Sequence, residues 1–301
     1  MIKLFWNTHN QLKPNSDIKK IREKQENDYG WGKYHKKSSD KWIYEILKKI
    51  KYNIIHSKEE LEQEDILIIV DSSVEEKNKI YTELSLVCSK IFLFHLGDEF
   101  GFYNLSTVYN ICDYVWRPFC ATKYFNNPKV KCIPIGYKSG VSYKKGSESK
   151  YKWAFTGTPH KSSRHDLLFQ FSNIKPFFSH KTEKFDRKNI SVHEMNEVLS
   201  ATEFIPCPYG FFHPETYRVF EALECRCIPI VESAYDYYDR VFPDNPFIKI
   251  NMWKDAKPIL EGWDKDQIKK KSEECFSWWI KKKSDLQNSI RDKINLRTKM
   301  Y

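Results

Sequence analysis

Along the chain, short unbroken apolar runs alternate with stretches whose apolar residues return every three or four positions. The first half reads IKLFW, WIYEILKKIKY, DILIIVDSS, TELSLVCSKIFLFHLGDE, YNICDYVWRPF and VKCIPIGY. Parallel strands covered by helices on both faces read as continuous apolar runs, so this alternation predicts a doubly wound parallel α/β sheet. The second half restarts the pattern: YKWAFTG as strand, HDLLFQFSNI as helix, VHEMNEVLSATEFIPCP as helix then strand, ETYRVFEALE as helix and CIPIVE as strand. No short-period repeat is present, which excludes solenoids and propellers. Between the halves, KSGVSYKKGSESK (138–150) is rich in Gly, Ser and Lys and reads as a linker. The predicted layout is one α/β domain over residues 1–140 with a linker to about 150, a second over 151–275, and a closing helix over 276–301. Ligands of open α/β sheets bind beyond the carboxyl ends of the strands, so two such domains predict a cleft between those edges.

Composition narrows the class. With 301 residues, 41% of them hydrophobic, the chain can bury cores for two medium domains and is not a disordered protein. The formal net charge of +10 points to acidic partners: nucleic acid, an anionic membrane surface or a phosphorylated small molecule. No apolar run is long enough to span a bilayer, and MIKLFWNTHNQ lacks the apolar core of a signal peptide. The expectation is a soluble cytoplasmic protein, or the soluble portion of a larger membrane-anchored enzyme. The eight cysteines (88, 112, 120, 132, 207, 225, 227 and 275) are scattered and show no disulfide framework or zinc spacing. A reducing compartment and no structural metal follow as expectations.

Two segments carry candidate chemistry. After the strand ending in Gly157, TPHKSSRHDLL supplies Thr158, Ser162 and Ser163 at a helix start, with Lys161 and Arg164 as fixed positive charge. Exposed amides and cations at a helix N-terminus suit a diphosphate, although an ordinary capped helix gives the same pattern. The second segment is FFHPETYRVFEALECRCIPIVE (211–232). Pro214 suits a first helical turn, which starts the helix near His213; Glu215, Arg218 and Glu221 then recur at every third position. A nucleotide needs a helix N-terminus for phosphate, a guanidinium for the diphosphate and a carboxylate for the ribose hydroxyls. A solvated face of Glu and Arg pairs is the competing explanation.

EALECRCIPIV, preceded by PETYRVF and by the strand FIPCPYG, resembles the donor-binding half of exostosin-like glycosyltransferases. FHLGDE, the RPF of VWRPF, IPIGYKSG and FTGTPHKSSR follow that family's order, so the likeness covers roughly residues 91–232. Within it, the chain is most similar to ribitol-phosphate xylosyltransferase-like enzymes and their viral and microbial relatives. The resemblance implies a GT-B fold: two Rossmann-like domains facing across a cleft, the first holding the acceptor, the second the sugar nucleotide, with a C-terminal helix crossing back. It implies an inverting transferase moving a sugar to a glycan hydroxyl from a nucleoside diphosphate sugar, in this family usually a UDP-sugar, with UDP-xylose suggested by the xylosyltransferase-like subgroup. Carried over, Glu221 binds ribose, Arg218 and Arg164 bind the diphosphate, and Glu215 serves the donor sugar. Gly157, Thr158, Pro208, Tyr209, His213 and Thr216 complete the expected donor site. Glu224 is left to solvent, as are the lysines of IKKKSEECFSWWIKKK, whose Trp278 and Trp279 pack. Where the family commonly has glycine, Arg226 stands between Cys225 and Cys227, which are read as packing residues.

Inversion needs a general base near the acceptor hydroxyl. Asp98, delivered by a buried apolar strand to a Gly-containing loop, is the first candidate, with Glu99 beside it and Asp71 as rival. Each could instead cap a helix. Asp264 and Asp266 form a D-x-D of the metal-binding kind, but between EGW and QIKKK they read as a helix cap. No cofactor or metal is expected, with arginines and a helix dipole in place of a cation. The expected partners are a nucleotide-sugar donor and a glycan acceptor. Peripheral membrane association stays open, and no nucleic-acid signature accompanies the positive charge.

Overall fold

The computed structural model describes residues 1–7, 31–75, 77–183, 190–233 and 235–295. The chain divides into two compact units, residues 1–134 with 286–301, and residues 135–285. The end of the predicted closing segment, 296–301, lies outside the described residues.

In the first unit, β1 (Ile2–Asn7), β2 (Asn53–Ile55), β3 (Ile66–Asp71), β4 (Lys90–His95), β5 (Tyr114–Arg117) and β6 (Val130–Cys132) form one sheet. Helices α1 (Trp31–Leu47), α2 (Asn78–Val87) and α3 (Ser106–Ile111) lie between strands in the chain. The strand order is β2-β1-β3-β4-β5-β6, and every pairing is parallel. Leu67, Ile68, Ile69 and Val70 are wholly buried, as an apolar strand flanked on both sides requires. The winding direction reverses between β1 and β3, where Asn7 and Asp71 end adjacent strands in register. Such a reversal splays the neighbouring loops apart and leaves a crevice at the carboxyl ends.

The second unit repeats this plan. β7 (Tyr151–Gly157), β8 (Phe177–Lys181), β9 (Thr202–Cys207), β10 (Ile228–Glu232) and β11 (Ile248–Ile250) are ordered β11-β10-β9-β7-β8, again all parallel. Its helices are α4 (Arg164–Gln170), α5 (Val192–Ser200), α6 (Tyr217–Glu224), α7 (Tyr237–Val241), α8 (Lys257–Gly262) and α9 (Lys265–Asn295), whose last residues, from Leu286, group with the first unit. The reversal here falls between β7 and β9. Residues 138–150, read as a linker, lie within this unit and are tied to α5. Asn196 accepts from the Ser142 amide (3.1 Å) and donates to the Gly140 carbonyl (2.9 Å), and the Ser200 hydroxyl accepts from the Lys144 amide (2.8 Å).

Several local expectations are corrected. Helix α6 begins at Tyr217, not near His213, so Pro214 and Glu215 precede it. Glu224 does not face free solvent: it accepts from the Trp279 indole (2.7 Å) and the Lys283 ammonium (2.8 Å), and Lys283 is itself buried. Trp279 is fully buried beside Phe220. Cys120 and Cys132 form a disulfide, where no framework was expected. The loop after β5 returns Cys120 to the end of β6, whose Cys132 pairs with Arg117, and that proximity has no signature in the spacing. Asp264 does cap a helix: its carboxylate accepts from the Gln267 amide (2.8 Å), while the Gln267 side chain accepts from the Asp264 amide (3.0 Å).

The turn after α6 closes as a left-handed cap on Arg226 (φ 62°). The Cys227 amide donates to the Ala222 carbonyl (2.8 Å) and the Arg226 amide to the Leu223 carbonyl (3.2 Å), the paired bonds of a Schellman motif. Glycine is the usual occupant because a Cβ is strained at this φ. Arg226 offsets the strain by placing its guanidinium over Phe276 (4.2 Å) and Tyr143 (4.9 Å), while Cys225 and Cys227 pack in the core. Arg226→Ala keeps the strain and removes both ring contacts, so it should cost about 1–2 kcal/mol. Arg226→Gly should recover about 1 kcal/mol of that. Urea unfolding of both variants checks the order, and an Ala variant as stable as the Gly variant would contradict it.

Candidate active site

At the carboxyl end of β7 the backbone turns through Gly157 at φ 132°. A Cβ there would lie 3.2 Å from Arg218 Nη2 and 3.7 Å from Arg164 Nη1, so two guanidiniums pack against one glycine. Arg218, in the first turn of α6, donates to the Thr156 carbonyl (2.7 Å) and lies over the Phe155 ring. Arg164, the first residue of α4, is buried; it donates to the Thr158 carbonyl (3.0 Å) and hydroxyl (3.2 Å) and to the Tyr209 carbonyl (3.1 Å). Arg164 therefore stitches together the loops leaving β7 and β9, the two strands that flank the reversal. Two like charges held this close repel each other, and an anion placed between them would relieve the repulsion.

One turn further along α6, Glu221 is buried and lines a small pocket with Arg218, Thr156 and Met195. Burial pushes its carboxyl above the usual value; the Lys138 and Arg218 charges and the Lys138 amide pull the other way. At the end of β10, Glu232 accepts from the Ser163 hydroxyl (2.8 Å), which accepts from the Trp253 indole (2.9 Å). Partial burial raises the Glu232 carboxyl too, and pushes the neighbouring Tyr209 phenol up to about 12.

Gly157, Thr158, Arg164, Tyr209 and Arg218 thus come together at the reversal, with Glu221 beside Arg218. Pro208 is buried at the end of β9. Thr216 holds the N-cap position of α6, but its hydroxyl makes no capping bond. His213 and Glu215 form an internal brace: the Glu215 amide donates to His213 Nδ1 (3.1 Å), and the His213 ring meets Tyr237 edge-on. Glu215 is almost wholly buried, with one oxygen accepting from the Ile135 amide (2.7 Å) and the other from the Tyr237 hydroxyl (2.6 Å). Both oxygens are occupied, which fits a brace better than a sugar contact. Sequence reasoning passed over Lys138 and Glu232, the first because it lies in the stretch read as linker, the second because a lone Glu ending a strand carries no signal.

The first unit gathers its polar groups at the other reversal. Asp71 is buried and accepts from Lys77 at both oxygens (2.9 and 2.8 Å), from Asn7 (2.8 Å), from the Ser73 amide (2.9 Å) and weakly from Tyr81 (3.3 Å). Asp98, at φ 60°, has a wholly buried carboxylate that faces Arg117 at 3.6 Å and accepts from the Phe102 amide (3.0 Å). Arg117 is itself sealed in, bonded to the Tyr109 hydroxyl (3.0 Å), which in turn meets His95 Nδ1 (2.7 Å). Asp71 is taken up by the buried Lys77 ammonium, whereas Asp98 only faces Arg117 at 3.6 Å and its buried Oδ2 makes no hydrogen bond among the described residues. Glu99 is half-buried, and so is Glu75, a residue the sequence reading did not single out. Partial burial and the nearby Asp71 and Asp98 charges raise the Glu75 carboxyl, against a smaller lowering by its own amide and Lys77. Among the described residues no group of acidic, His or Cys side chains has the arrangement of a metal site, and no helix is long and apolar enough to cross a membrane.

The family model described as RXYLT1 C-terminal domain matches residues 138–297, more than half of the chain. Comparison with curated proteins gives no significant match. Among solved structures, an alpha1,3-fucosyltransferase is 12% identical over 97% of this chain and 89% of its own, with a TM-score of 0.54. HepE of Anabaena, solved in complex with UDP and glucose, is 9% identical over 98% of this chain and all of its own, with a TM-score of 0.52. At these identities the likeness establishes the fold: two Rossmann-like α/β units of the GT-B glycosyltransferase type, with a long C-terminal helix.

The buried Glu221 gives a test by pH. A carboxyl raised in the folded state favours folding below its unfolded value, near 4.5, and that contribution is lost as pH rises through the folded value. Glu221→Gln should therefore raise the thermal midpoint at pH 8 and change it little at pH 4. An equal shift at both pH values in calorimetry would assign the effect to packing instead.

Proposed function

The chain belongs to the RXYLT1 C-terminal domain family, and from that premise we propose that it is a glycosyltransferase moving a sugar from a nucleoside diphosphate donor to a glycan hydroxyl. The observation that carries this reading is the convergence of Arg164 and Arg218 on Gly157 at the strand-order reversal of the second unit. That place binds ligands in open α/β sheets, and paired guanidiniums match a diphosphate in charge and geometry. Glu221, beside Arg218, receives the ribose hydroxyls. UDP is the nucleotide we favour, since the similar HepE was solved with UDP and glucose; a UDP-pentose such as UDP-xylose follows only from the likeness in motifs.

The step is a single displacement with inversion. The acceptor oxygen attacks the anomeric carbon, the bond from that carbon to the diphosphate oxygen breaks, and the hydroxyl proton passes to a carboxylate of the first unit. The leaving diphosphate takes the electron pair, and its charge is met by Arg164 and Arg218, which here do the work of a divalent cation. Of the carboxylates considered, Asp71 and Asp98 each face a buried cation. Glu75 takes the base role in this proposal, because burial raises its half-buried carboxyl and so makes it a better proton acceptor than an ordinary carboxylate; Glu99, half-buried in the loop after β4, is second.

Arg218→Ala should weaken UDP binding roughly 10- to 100-fold, the worth of a charge-assisted hydrogen bond. Isothermal titration with UDP checks this, and unchanged affinity would remove the cradle from the site. Glu75→Gln should lower turnover by at least about 100-fold while leaving UDP affinity intact. Asp71→Asn should instead lower stability by about 3 kcal/mol, because it leaves Lys77 buried without its partner. Stability lost in Glu75→Gln with turnover kept would reverse that assignment.

A further inference from the structure

The turn that delivers Arg164 to its place is strained. Ser162 sits at φ 45°, a left-handed conformation that is unfavourable for any residue with a Cβ, and no glycine relieves it. The Arg164 amide closes the turn on the Lys161 carbonyl (3.2 Å), so the strained residue lies in the loop that sets where α4 begins. Strain of this kind persists only where the surroundings over-determine the backbone.

Here the surroundings converge on one carboxylate. The Ser162 hydroxyl donates to the Tyr209 carbonyl (3.2 Å). The Ser163 hydroxyl donates to Glu232 (2.8 Å) while accepting from the Trp253 indole (2.9 Å). The Tyr209 amide is a second donor to Glu232. From the end of β10, Glu232 therefore grips the loop after β7 through Ser163 and the loop after β9 through Tyr209.

Arg164 is fixed by the same two loops. Its guanidinium donates to the Tyr209 carbonyl (3.1 Å) and to Thr158 (3.0 and 3.2 Å), and its backbone directly follows Ser163. Glu232 thus holds both the residue before Arg164 and a residue that Arg164 itself holds. Both of its donors are neutral, and partial burial raises its carboxyl against their pull. Hydrogen bonds to an ionised acceptor are roughly twice as strong as neutral ones, which is what a carboxylate kept at this position supplies.

We propose that Glu232 is a positioning residue for the diphosphate cradle: it locks the strained turn to the Tyr209 backbone and so holds Arg164 against Gly157 beside Arg218. The proposal rests on the transferase reading above and deepens it. Glu232 does not touch the donor; it acts through Arg164. Its loss is therefore felt in the extra affinity that a diphosphate has over a monophosphate.

The test is isothermal titration of UDP and of UMP into the full chain and its variants. The wild type should prefer UDP, and Glu232→Ala should cut that preference about tenfold. Glu232→Gln, whose side-chain carbonyl still accepts from Ser163, should fall between the two. Ser163→Ala removes the link and leaves the carboxylate in place; it should lower the preference in the same direction, and it serves alone if Glu232→Ala does not fold. Both changes together should lower it no further than Glu232→Ala alone, since they break one connection. A purely structural Glu232 gives a lower thermal midpoint with the UDP preference unchanged, and that result overturns the proposal. Fully additive losses in the double variant overturn it too, as does a wild type that binds UMP as tightly as UDP. A wild type that binds neither nucleotide sinks the UDP-sugar reading itself, and this role with it.

Discussion

A single missing side chain sets the terms for the second unit. Gly157 leaves room for two guanidiniums at the end of β7, and the rest of the local sequence holds them there. Arg164 must be buried to reach both Thr158 and Tyr209, so the loops after β7 and β9 cannot drift apart. Arg218 must start α6 beside Thr156, which fixes where that helix begins and therefore where Glu221 lies one turn later. The brace of Glu215, Tyr237 and the Ile135 amide then fixes the turn that leads into the helix. Backbone carbonyls hold both guanidiniums in place, and the Glu221 carboxylate lies within electrostatic reach of Arg218.

The first unit shows the opposite use of the same sheet plan. At its reversal a buried carboxylate, Asp71, meets a buried ammonium, Lys77, with Asn7 and Tyr81 filling the remaining bonds. Breaking such a pair is costly although forming it gains little, so it acts as a fixed post for the strand ends. Arg117 and Asp98 make a second post, and the loop between Asp98 and Tyr103 hangs on it. The same strand order, with one strand more in the first unit, therefore carries two guanidiniums against a glycine in the second unit and buried ion pairs in the first.

Much of this was legible in the sequence, and the limits have physical causes. The buried central strands announced themselves because parallel strands covered on both faces are continuous apolar runs, as in ILIIVD and KIFLFH. The short edge strands NII, FFSHK and IKI did not, since pairing on one side demands little of composition. Arg164 and Arg218 could be picked out because each begins a helix just after a strand or a Pro-containing turn. Glu75 could not: in VEEKNK it looks like a solvated turn, and only the fold brings it near Asp98. The Cys120–Cys132 bond and the Glu224–Lys283 contact were hidden for a related reason, both depending on which elements come to lie side by side. Asp71 ends β3 and Asp98 lies in the loop beyond β4, as read, but the burial of their carboxylates, which sequence position does not report, changes what each can do.

Burial by itself does not mark a functional charge; the kind of compensation does. Asp71 faces a cation that contacts both of its oxygens. Glu221 is as deeply placed, yet its opposing cations only partly offset the loss of water, and its carboxyl stays raised. Glu224, by contrast, receives an indole and an ammonium directly and anchors α9. Three acidic residues thus differ in how completely each charge is answered: Asp71 and Glu224 are met directly by a cation, Glu221 only in part. A site that must bind and release cannot answer its own charges in full, because a ligand gains only what the empty protein has left unsatisfied. The repulsion between Arg164 and Arg218 and the raised carboxyl of Glu221 are two signs of the same arrangement, one favouring an anion and the other favouring a hydrogen-bond donor. In the proposed reading a nucleoside diphosphate carries both groups in one molecule, the phosphates and the ribose hydroxyls, and the placement of Arg218 and Glu221 one turn apart on α6 suits that class of ligand.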